Sequence, residues 1–416
     1  MNWLNKKIHC VGIKGSGLSG LAILLKNEGA IISGSDTEEA FPSEDELKKN
    51  GIEIEIFSEK NITEDIDLVI YSGAWKDHFE MENARRLGIE ELSYGEALGE
   101  FAKGKKTIVI TGTHGKTTTT ALLGQIFEAG GLDPCVLTGD MVKAWESSVR
   151  LPTGQAGGGK GDYFIVEGDE YQEKFKYFSP VGIIIPSLDY DHPDYFKDKE
   201  SYQKAFTDWI RANPQAIVVT EPEEADEKIF SKARFIFPGA NYKRNALLAI
   251  RLSRIFGLDD ASIISGINNF KGVRRRLDYY SLASGDLIII YDYAHHPAEI
   301  RSTLKALRGQ YPEHKIVAIF QPHTYTRTKV FLGDFARAFS DAQEVYFEEI
   351  YASAREKNES IKIEDLINLA KEYHQNAFNF SDFDAKKFFG KLLFVFMGAG
   401  DIWRAAEKLS KSLVKR

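Results

Sequence analysis

Short runs of Val, Ile and Leu alternate with segments of helical periodicity along the whole sequence. This alternation predicts parallel sheets covered by helices, because parallel strands are normally joined by a crossover helix. Three such units can be distinguished, and their first strands are predicted at residues 8–12, 107–111 and 287–291. The pattern therefore predicts an α/β protein built from three parallel-sheet units.

The remaining predicted elements place the domain boundaries near Gly104 and Gly272, giving domains 1–104, 105–272 and 273–416. Five glycines between Thr153 and Gly161 predict a mobile surface loop inside the second domain. Further strands are predicted at 30–33, 67–71, 163–167, 182–185, 216–220, 315–320 and 392–397. Helices are predicted over 21–27 and 117–128, and from near residues 297, 330, 363 and 402.

The composition narrows the class of protein. Lys plus Arg number 53 and Asp plus Glu number 61, so the net charge of −8 argues against a nucleic-acid coat or an anionic-membrane binder. Two cysteines, Cys10 and Cys135, are too few for a disulfide framework or a four-thiolate zinc site. No apolar run approaches the about 18 residues of a spanning helix, and no secretory signal is recognisable. A cytoplasmic protein is expected, and the acidic balance does not exclude anionic small substrates, because a local site can be basic inside an acidic protein.

The sequence Thr-Gly-Thr-His-Gly-Lys-Thr-Thr, at 111–118, follows a predicted strand and opens a predicted helix. This context suits a phosphate-binding loop, because glycines let backbone N–H groups face phosphates and the helix N-terminus attracts anions. Lys116 would hold the β- and γ-phosphates of ATP, and Thr117 would offer its hydroxyl to Mg²⁺. A tight strand-to-helix turn without a ligand is the alternative. The predicted ATP-binding residues of the loop are Gly112, Thr113, His114, Gly115, Lys116, Thr117 and Thr118.

This loop is shorter than the general Gly-x4-Gly-Lys-Ser/Thr pattern, and it resembles the phosphate loop of the Mur ligases. These are ATP-dependent, amide-bond-forming enzymes of peptidoglycan precursor synthesis. The resemblance implies a Rossmann-like N-terminal domain that binds UDP-N-acetylmuramate, over 1–104. It also implies a P-loop ATPase-like central domain over 105–272 and a Rossmann-like C-terminal domain that binds the amino acid, over 273–416.

Glu167 ends a predicted strand in Val-Glu-Gly-Asp-Glu-Tyr, and His192 lies in Asp-Tyr-Asp-His-Pro-Asp. A carboxylate and an imidazole beside a phosphate loop could hold Mg²⁺, although the residues alone favour a solvated acidic loop with one histidine. Both motifs resemble the magnesium-binding positions of Mur ligases, which implies Thr117, Glu167 and His192 as metal ligands. Gly168 stands where the family commonly has Ala, and Ser187 where an Asn is common.

A glycine-rich turn, Gly-Ile-Lys-Gly-Ser-Gly-Leu-Ser-Gly at 12–20, precedes Asp36 by about 20 residues. Such a turn at a helix N-terminus can bind a diphosphate, with the acid on a ribose hydroxyl. A dinucleotide site and a turn without ligand are the alternatives from the residues alone. The turn resembles the UDP-sugar site of the alanine-adding branch of the family. The residues implied to bind the UDP-sugar are Gly15, Ser16, Gly17, Leu18, Ser19 and Asp36.

Asn241 and Asn245 lie at a predicted helix start, where asparagine often acts as a cap. The segment resembles the family's adenine-contacting His-Asn-x-x-x-Asn-Ala, except that Ala240 replaces the histidine. The stretch between His192 and Asn241 is also short for the family, so a trimmed central domain is expected.

The third domain carries three further motifs. Arg276 ends a run of three arginines, which is usually a solvated face; the resemblance implies that it contacts the γ-phosphate and offsets its charge. Asp292 and His295, in Asp-Tyr-Ala-His-His-Pro, are implied on the ATP side. The third motif, Gln-Pro-His-Thr-Tyr-Thr-Arg, could be an ordinary polar loop. It resembles the alanine-adding branch and implies that the residues lining the amino-acid site are His323, Arg327 and Tyr351.

The resemblance implies one reaction and leaves two alternatives. ATP would phosphorylate the lactyl carboxylate of UDP-N-acetylmuramate, and the amine of L-alanine would attack the acyl phosphate. The implied catalytic residues are Lys116, Glu167, His192 and Arg276. One alternative is a recycling ligase that adds an intact tripeptide to the same UDP-sugar. The other is a nucleotide-binding regulator without ligase activity, which the four retained residues argue against. The sequence does not specify the oligomeric state.

Overall fold

The computed structural model describes residues 1–154, 161–283, 286–352 and 361–414. Residues 155–160 of the predicted glycine-rich loop lie outside the described residues. The described chain forms two compact units. The first comprises residues 1–189, 203–235 and 245–273, and the second comprises the described parts of 190–202, 236–244 and 274–416.

The first unit begins with a five-stranded parallel sheet whose strand order is β3-β2-β1-β4-β5. Its strands are β1 (Lys7–Val11), β2 (Ile31–Asp36), β3 (Ile54–Ile56), β4 (Leu68–Tyr71) and β5 (Glu90–Ser93). The associated helices are α1 (Ser16–Asn27), α2 (Glu44–Lys49), α3 (Phe79–Leu87) and α4 (Tyr94–Ala102).

A second sheet in the same unit has six strands in the order β11-β10-β6-β9-β7-β8, and β8 pairs antiparallel with β7. Its strands are β6 (Lys106–Thr111), β7 (Cys135–Val142), β8 (Ser147–Arg150), β9 (Tyr163–Gly168), β10 (Gly182–Ile184) and β11 (Ile217–Val219). The helices of this part of the chain are α5 (Lys116–Ala129), α6 (Lys199–Ala212), α7 (Glu224–Phe230), α8 (Ala240–Ile255) and α9 (Asp260–Asn268).

The second unit holds a six-stranded sheet in the order β12-β13-β17-β14-β15-β16, with β12 antiparallel to β13. Its strands are β12 (Asp278–Ala283), β13 (Leu287–Asp292), β14 (Lys315–Phe320), β15 (Glu344–Phe347), β16 (Ala377–Asn379) and β17 (Leu392–Met397). Its helices are α10 (Pro297–Gln310), α11 (Tyr325–Val330), α12 (Leu332–Ala336), α13 (Ile363–Ala370) and α14 (Trp403–Val414). Short 3₁₀ helices lie at Glu59–Asn61, Gly73–Trp75, Tyr171–Tyr177, Phe380–Asp382 and Ala385–Lys387.

The α/β prediction is confirmed, since every predicted strand overlaps an observed one and parallel pairing dominates each sheet. The central strands are buried on both faces, so they read as continuous apolar runs; all six residues of β17 are buried. No helix within the described residues is both long and apolar enough to cross a lipid bilayer.

The two sheets of the first unit are joined through the buried carboxylate of Glu46, on α2. It accepts hydrogen bonds from the Ser148 amide at 2.8 Å, from the Ser148 hydroxyl and from the Ser147 hydroxyl, both on β8. Close by, Gly20 of α1 approaches Leu137 so tightly that a Cβ atom there would lie 2.3 Å from its Cδ1. These contacts fix the first sheet against the second.

We expect Glu46→Ala to lower the free energy of unfolding by about 1–3 kcal/mol, because it leaves two buried donors of Ser148 and the partly buried Ser147 hydroxyl without their acceptor. Urea unfolding followed by circular dichroism measures this loss. Glu53→Ala, at an exposed position, is the control and should change stability by less than about 0.5 kcal/mol. Equal stability of both variants would contradict a structural role for the Glu46 contacts.

Candidate active site

The predicted phosphate loop connects β6 to α5, and two of its glycines adopt positive φ angles. Gly112 has φ 121°, and a Cβ atom there would lie 2.4 Å from the Ser187 carbonyl oxygen. Gly115 has φ 83°, and a Cβ atom there would lie 2.5 Å from Oδ1 of Asn245. Both positions therefore require glycine for conformation and for space.

The segment after β10 holds this loop in place. The Thr113 amide donates to the Ser187 carbonyl at 3.1 Å, and the His114 amide donates to the Ser187 hydroxyl at 2.8 Å. The Thr113 hydroxyl also donates to the carbonyl of Asp189. Ser187, which departs from the family's usual Asn, thus supplies a polar contact to the loop through its hydroxyl. The sequence marks Ser187 only as a departure from the family pattern, because the His114 amide that it binds lies 73 residues away along the chain.

Lys116 begins α5, and its ammonium lies inside the loop. Its Nζ is 2.7 Å from the Gly112 carbonyl, 3.1 Å from the Thr113 carbonyl and 2.9 Å from the carboxylate of Glu170. Burial lowers the pKa of Lys116, but the charge and hydrogen bond of Glu170, with the charges of Asp169 and Glu167, outweigh burial, so the net shift is upward. The ammonium therefore stays charged, and its partner Glu170 was not among the predicted site residues.

Two of the three predicted metal ligands meet beside the loop. The Thr117 hydroxyl donates to Oε2 of Glu167 at 3.1 Å, and the Gly139 amide donates to Oε1. Hydroxyl and carboxylate oxygens are the donors that Mg²⁺ prefers, so this pair fits the ion. His192 belongs to the other unit. Among the described residues, no group of three or more His, Cys, Asp or Glu side chains is arranged to hold a metal.

The first glycine turn leads into α1, which Gly15 caps with φ −59° and ψ 133°. Ser16, Gly17, Leu18 and Ser19 form the first turn of this helix. Asp36, at the end of β2, accepts from the Lys14 amide at 2.7 Å and from the Thr37 amide at 2.8 Å. Asp36 is buried and braces the backbone of the glycine turn.

Tyr94 is a neighbour of this turn that the sequence analysis missed. A Cβ atom on Gly17 would lie 2.7 Å from the Tyr94 hydroxyl oxygen, so the ring covers the backbone there. Burial raises the pKa of Tyr94, and the negative charges of Asp169 and Glu167 raise it further. Tyr94 therefore stays protonated, between the glycine turn of the first sheet and the acidic strand end of the second.

The two asparagines of α8 have different surroundings. The Asn245 side chain is buried against Gly115 of the phosphate loop, where its Oδ1 would lie 2.5 Å from an added Cβ atom. Asn241 is exposed and belongs to the second unit. Next to it, Tyr242 stacks on Phe237 with ring centroids 5.3 Å apart.

In the second unit, Arg276 lies 3.2 Å from a carboxylate oxygen of Glu299, with its guanidinium 5.2 Å from the Tyr293 ring centroid. Burial lowers the pKa of Arg276, but Glu299 and Asp292 raise it more, so the net shift is upward. Burial raises the pKa of Asp292, whose carboxylate accepts from the amides of Leu277 and Ala294, both at 2.9 Å.

His295 lies next to the same Glu299. Its Nδ1 is 3.3 Å from Oε2 of Glu299 and 3.0 Å from the Tyr293 carbonyl oxygen. Burial lowers the pKa of His295 to about 3, against the opposing charge of Glu299. The imidazole is therefore neutral near pH 7, and His295 offers a hydrogen bond rather than a positive charge.

The predicted amino-acid-binding residues are also gathered in the second unit. The rings of His323 and Tyr351 are stacked, with centroids 5.7 Å apart and planes 15° from parallel. The Thr324 amide donates to the Tyr351 carbonyl at 2.9 Å. Arg327, on α11, is buried and forms a bidentate ion pair with Asp191, which was not among the predicted site residues.

A strand–glycine loop–helix with a partly buried, charged lysine at the helix start, and a hydroxyl–carboxylate pair beside it, defines a P-loop enzyme that uses a nucleoside triphosphate. Three family models match the chain in order. The model described as "Mur ligase family, catalytic domain" matches residues 7–106. The "Mur ligase middle domain" matches 110–247, and "Mur ligase, glutamate ligase domain" matches 275–387.

The chain belongs to the Mur ligase family of ATP-dependent ligases. It is 34% identical to a UDP-N-acetylmuramate–L-alanine ligase of Desulfitobacterium hafniense, covering 97% of this chain and 99% of that protein. An enzyme of the same name from Streptococcus pyogenes is also 34% identical and covers 96% of each chain. The first alignment has 453 positions, more than the 416 residues of this chain, so part of it consists of gaps in this chain.

Solved structures agree with the three-domain Mur ligase architecture. The crystal structure of a UDP-N-acetylmuramate–alanine ligase from Thermotoga maritima matches with a TM-score of 0.79 and 26% identity, covering 99% of this chain and all of that one. A murein peptide ligase from Psychrobacter arcticus shares the fold, with a TM-score of 0.69, 20% identity and coverage of 99% and 98%. The predicted family and fold class are thereby confirmed.

Proposed function

We propose that this protein joins L-alanine to the lactyl carboxylate of UDP-N-acetylmuramate, with hydrolysis of ATP to ADP and phosphate, in the synthesis of peptidoglycan precursors in the cytoplasm. The observation that carries the proposal is the end-to-end match to relatives named for this activity, at 34% identity over 97% of the chain. The charged lysine inside an intact phosphate loop supports it, because a ligase needs that charge at the transferred phosphate.

Each predicted domain has one task in this proposal. Residues 1–104 bind UDP-N-acetylmuramate, 105–272 bind ATP and 273–416 bind the amino acid. The diphosphate lies on the backbone of the first glycine turn and the start of α1, where amide groups and the helix N-terminus favour an anion. The residues proposed for this contact are Gly15, Ser16, Gly17, Leu18 and Ser19, with Asp36 holding the turn.

ATP lies on the phosphate loop from Gly112 to Thr118, with Lys116 at the β- and γ-phosphates. Asn245, buried beside the loop, and Asn241 contact the adenosine end. Asp292 and His295 lie on the nucleotide side of the third domain, where neutral His295 donates or accepts a hydrogen bond.

In the first step, a lactyl carboxylate oxygen attacks the γ-phosphorus of ATP, and ADP leaves. Lys116 and Arg276 offset the negative charge that spreads over the phosphoryl oxygens. Thr117, Glu167 and His192 would hold Mg²⁺, which would neutralise part of the negative charge of the phosphates when bound. In the second step, the alanine amine attacks the acyl carbon, inorganic phosphate leaves and the amide forms. His323, Arg327 and Tyr351 surround the place where the amino acid enters.

An assay of ADP release tests the proposal, using UDP-N-acetylmuramate, ATP and each of the twenty amino acids or a muropeptide tripeptide. We expect release with L-alanine to exceed release with any other amine by at least about tenfold. Preference for the tripeptide would assign the chain to the recycling reaction instead. Tight ATP binding without turnover on any amine would show a nucleotide-binding regulator.

A further inference from the structure

A buried ion pair within the second unit joins two loops that carry predicted site residues. Nε and Nη2 of Arg327 lie 3.1 and 3.0 Å from Oδ1 of Asp191, and Nη2 lies 3.1 Å from Oδ2. The arginine and aspartate side chains are only 10% and 4% exposed. A planar guanidinium that grips a carboxylate by two nitrogens fixes both distance and orientation.

Asp191 also controls the backbone of the residue that follows it. Its Oδ1 accepts the His192 amide at 2.7 Å. His192 has φ 56°, a left-handed conformation that a non-glycine residue adopts at a cost. Because the same carboxylate oxygen binds Arg327 and the His192 amide, the ion pair stabilises the strained turn that presents the imidazole.

Arg327 acts similarly on the other loop. Its Nη1 lies 3.5 Å from Nδ1 of His323, and its backbone amide donates to the Thr324 hydroxyl at 3.4 Å. Thr324 too has a positive φ, 67°, and its amide binds the Tyr351 carbonyl. The guanidinium therefore contacts the His323 ring through Nη1, while its other two nitrogens lie on Asp191.

We propose that Asp191 and Arg327 are positioning residues that hold His192 and the His323–Tyr351 pair in one fixed arrangement. Arg327 serves the amino-acid site by orienting His323. Asp191 serves the metal-binding region by setting the turn of His192. This inference rests on the proposed ligase function. In it, the Asp191–Arg327 ion pair couples the residues at the phosphate end of that reaction to the residues at the amine end.

The test compares this pair with a matched structural ion pair of the same chain. Arg150 and Asp133, in the first unit, are 2.9 Å apart, with side chains 8% and 3% exposed. The variants are Asp191→Asn, Arg327→Gln and their double, with Arg327→Lys as a milder change that keeps the charge but not the fork. Asp133→Asn and Arg150→Gln are the controls.

We expect Asp191→Asn and Arg327→Gln each to raise KM for L-alanine and to lower kcat. In each variant kcat/KM should fall by about 10²-fold, because the reacting groups are misplaced. The double variant should be no worse than the poorer single one, since both remove one coupling. Binding of Mn²⁺ to the enzyme–ADP complex, followed by electron paramagnetic resonance, should weaken in both single variants, Asp191→Asn and Arg327→Gln. The control variants should lose melting temperature to a similar degree without changing KM or Mn²⁺ binding.

Three results would overturn the inference. Additive losses in the double variant would mean that the two residues act separately. A raised KM in Arg327→Gln with unchanged Mn²⁺ binding would place Arg327 on the substrate itself. If Asp133→Asn and Arg150→Gln lose as much activity as the site variants, the loss of activity at the site comes from lowered stability and not from misplaced residues. The Mn²⁺ measurement needs no turnover, so failure of the proposed ligase reaction, seen in the wild-type enzyme, is distinguishable from failure of the positioning role.

Discussion

Lys116→Met should lower kcat for ligation by at least about 10³-fold, while the affinity for UDP-N-acetylmuramate stays within about twofold. The ammonium of Lys116 is enclosed by two loop carbonyls and the Glu170 carboxylate, and its pKa is held above the ordinary value. Methionine fills the same volume without a charge, so the transferred phosphate loses its main neutralising group. The UDP-sugar is proposed to lie on the first sheet, which this change does not touch.

Two measurements separate catalysis from folding in this variant. Calorimetry with UDP-N-acetylmuramate should give the wild-type affinity, and single-turnover ADP release should show the lost chemistry. Lys116→Met also deprives buried Glu170 of its ammonium partner, so the double variant Lys116→Met/Glu170→Gln should regain stability but not activity. A substantial rate in either variant, or lost UDP-sugar affinity, would contradict the assignment of Lys116.

The phosphate loop and the central strands could be predicted because their signals are local. The loop needs glycines at fixed offsets between a strand and a helix, and buried parallel strands read as apolar runs. The three-residue edge strand β16 was not predicted, because so few residues carry little periodicity. The edge strand β3 was not predicted either, although Ile and Glu alternate over residues 52–56. The eight residues of β7 were missed as well, since Gly139 and Asp140 interrupt their apolar pattern.

The missed site residues share a different cause. Glu170, Tyr94 and Asp191 act through partners that lie far along the chain, such as Asp191 on Arg327, 136 residues later. Nothing in the local pattern around Asp191 distinguishes a bidentate ion pair from the solvated acidic loop that its neighbours suggest. Arg327 illustrates the same limit, because its motif indicated a substrate contact and the structure adds an internal partner.

Gly15→Val is expected to weaken UDP-N-acetylmuramate binding by at least about 10²-fold without unfolding the protein. Gly15 has φ −59° and ψ 133°, a conformation open to any residue. A Cβ atom there would meet the Gly12 carbonyl oxygen at 3.5 Å and the Ser72 hydroxyl at 4.0 Å, which are ordinary contacts. The fold therefore accepts a side chain at Gly15, and the loss falls on the diphosphate that must approach this backbone.

Gly17→Ala is the informative contrast, because a Cβ atom there would lie 2.7 Å from Tyr94 and must displace that ring. We expect Gly17→Ala to lower the melting temperature, whereas Gly15→Val keeps it and loses affinity in a calorimetric titration. ATP binding should survive in Gly15→Val, since the phosphate loop belongs to the other sheet of the unit. Wild-type affinity for the UDP-sugar in Gly15→Val would mean that the first glycine turn only shapes the fold, and that the diphosphate binds elsewhere on residues 1–104.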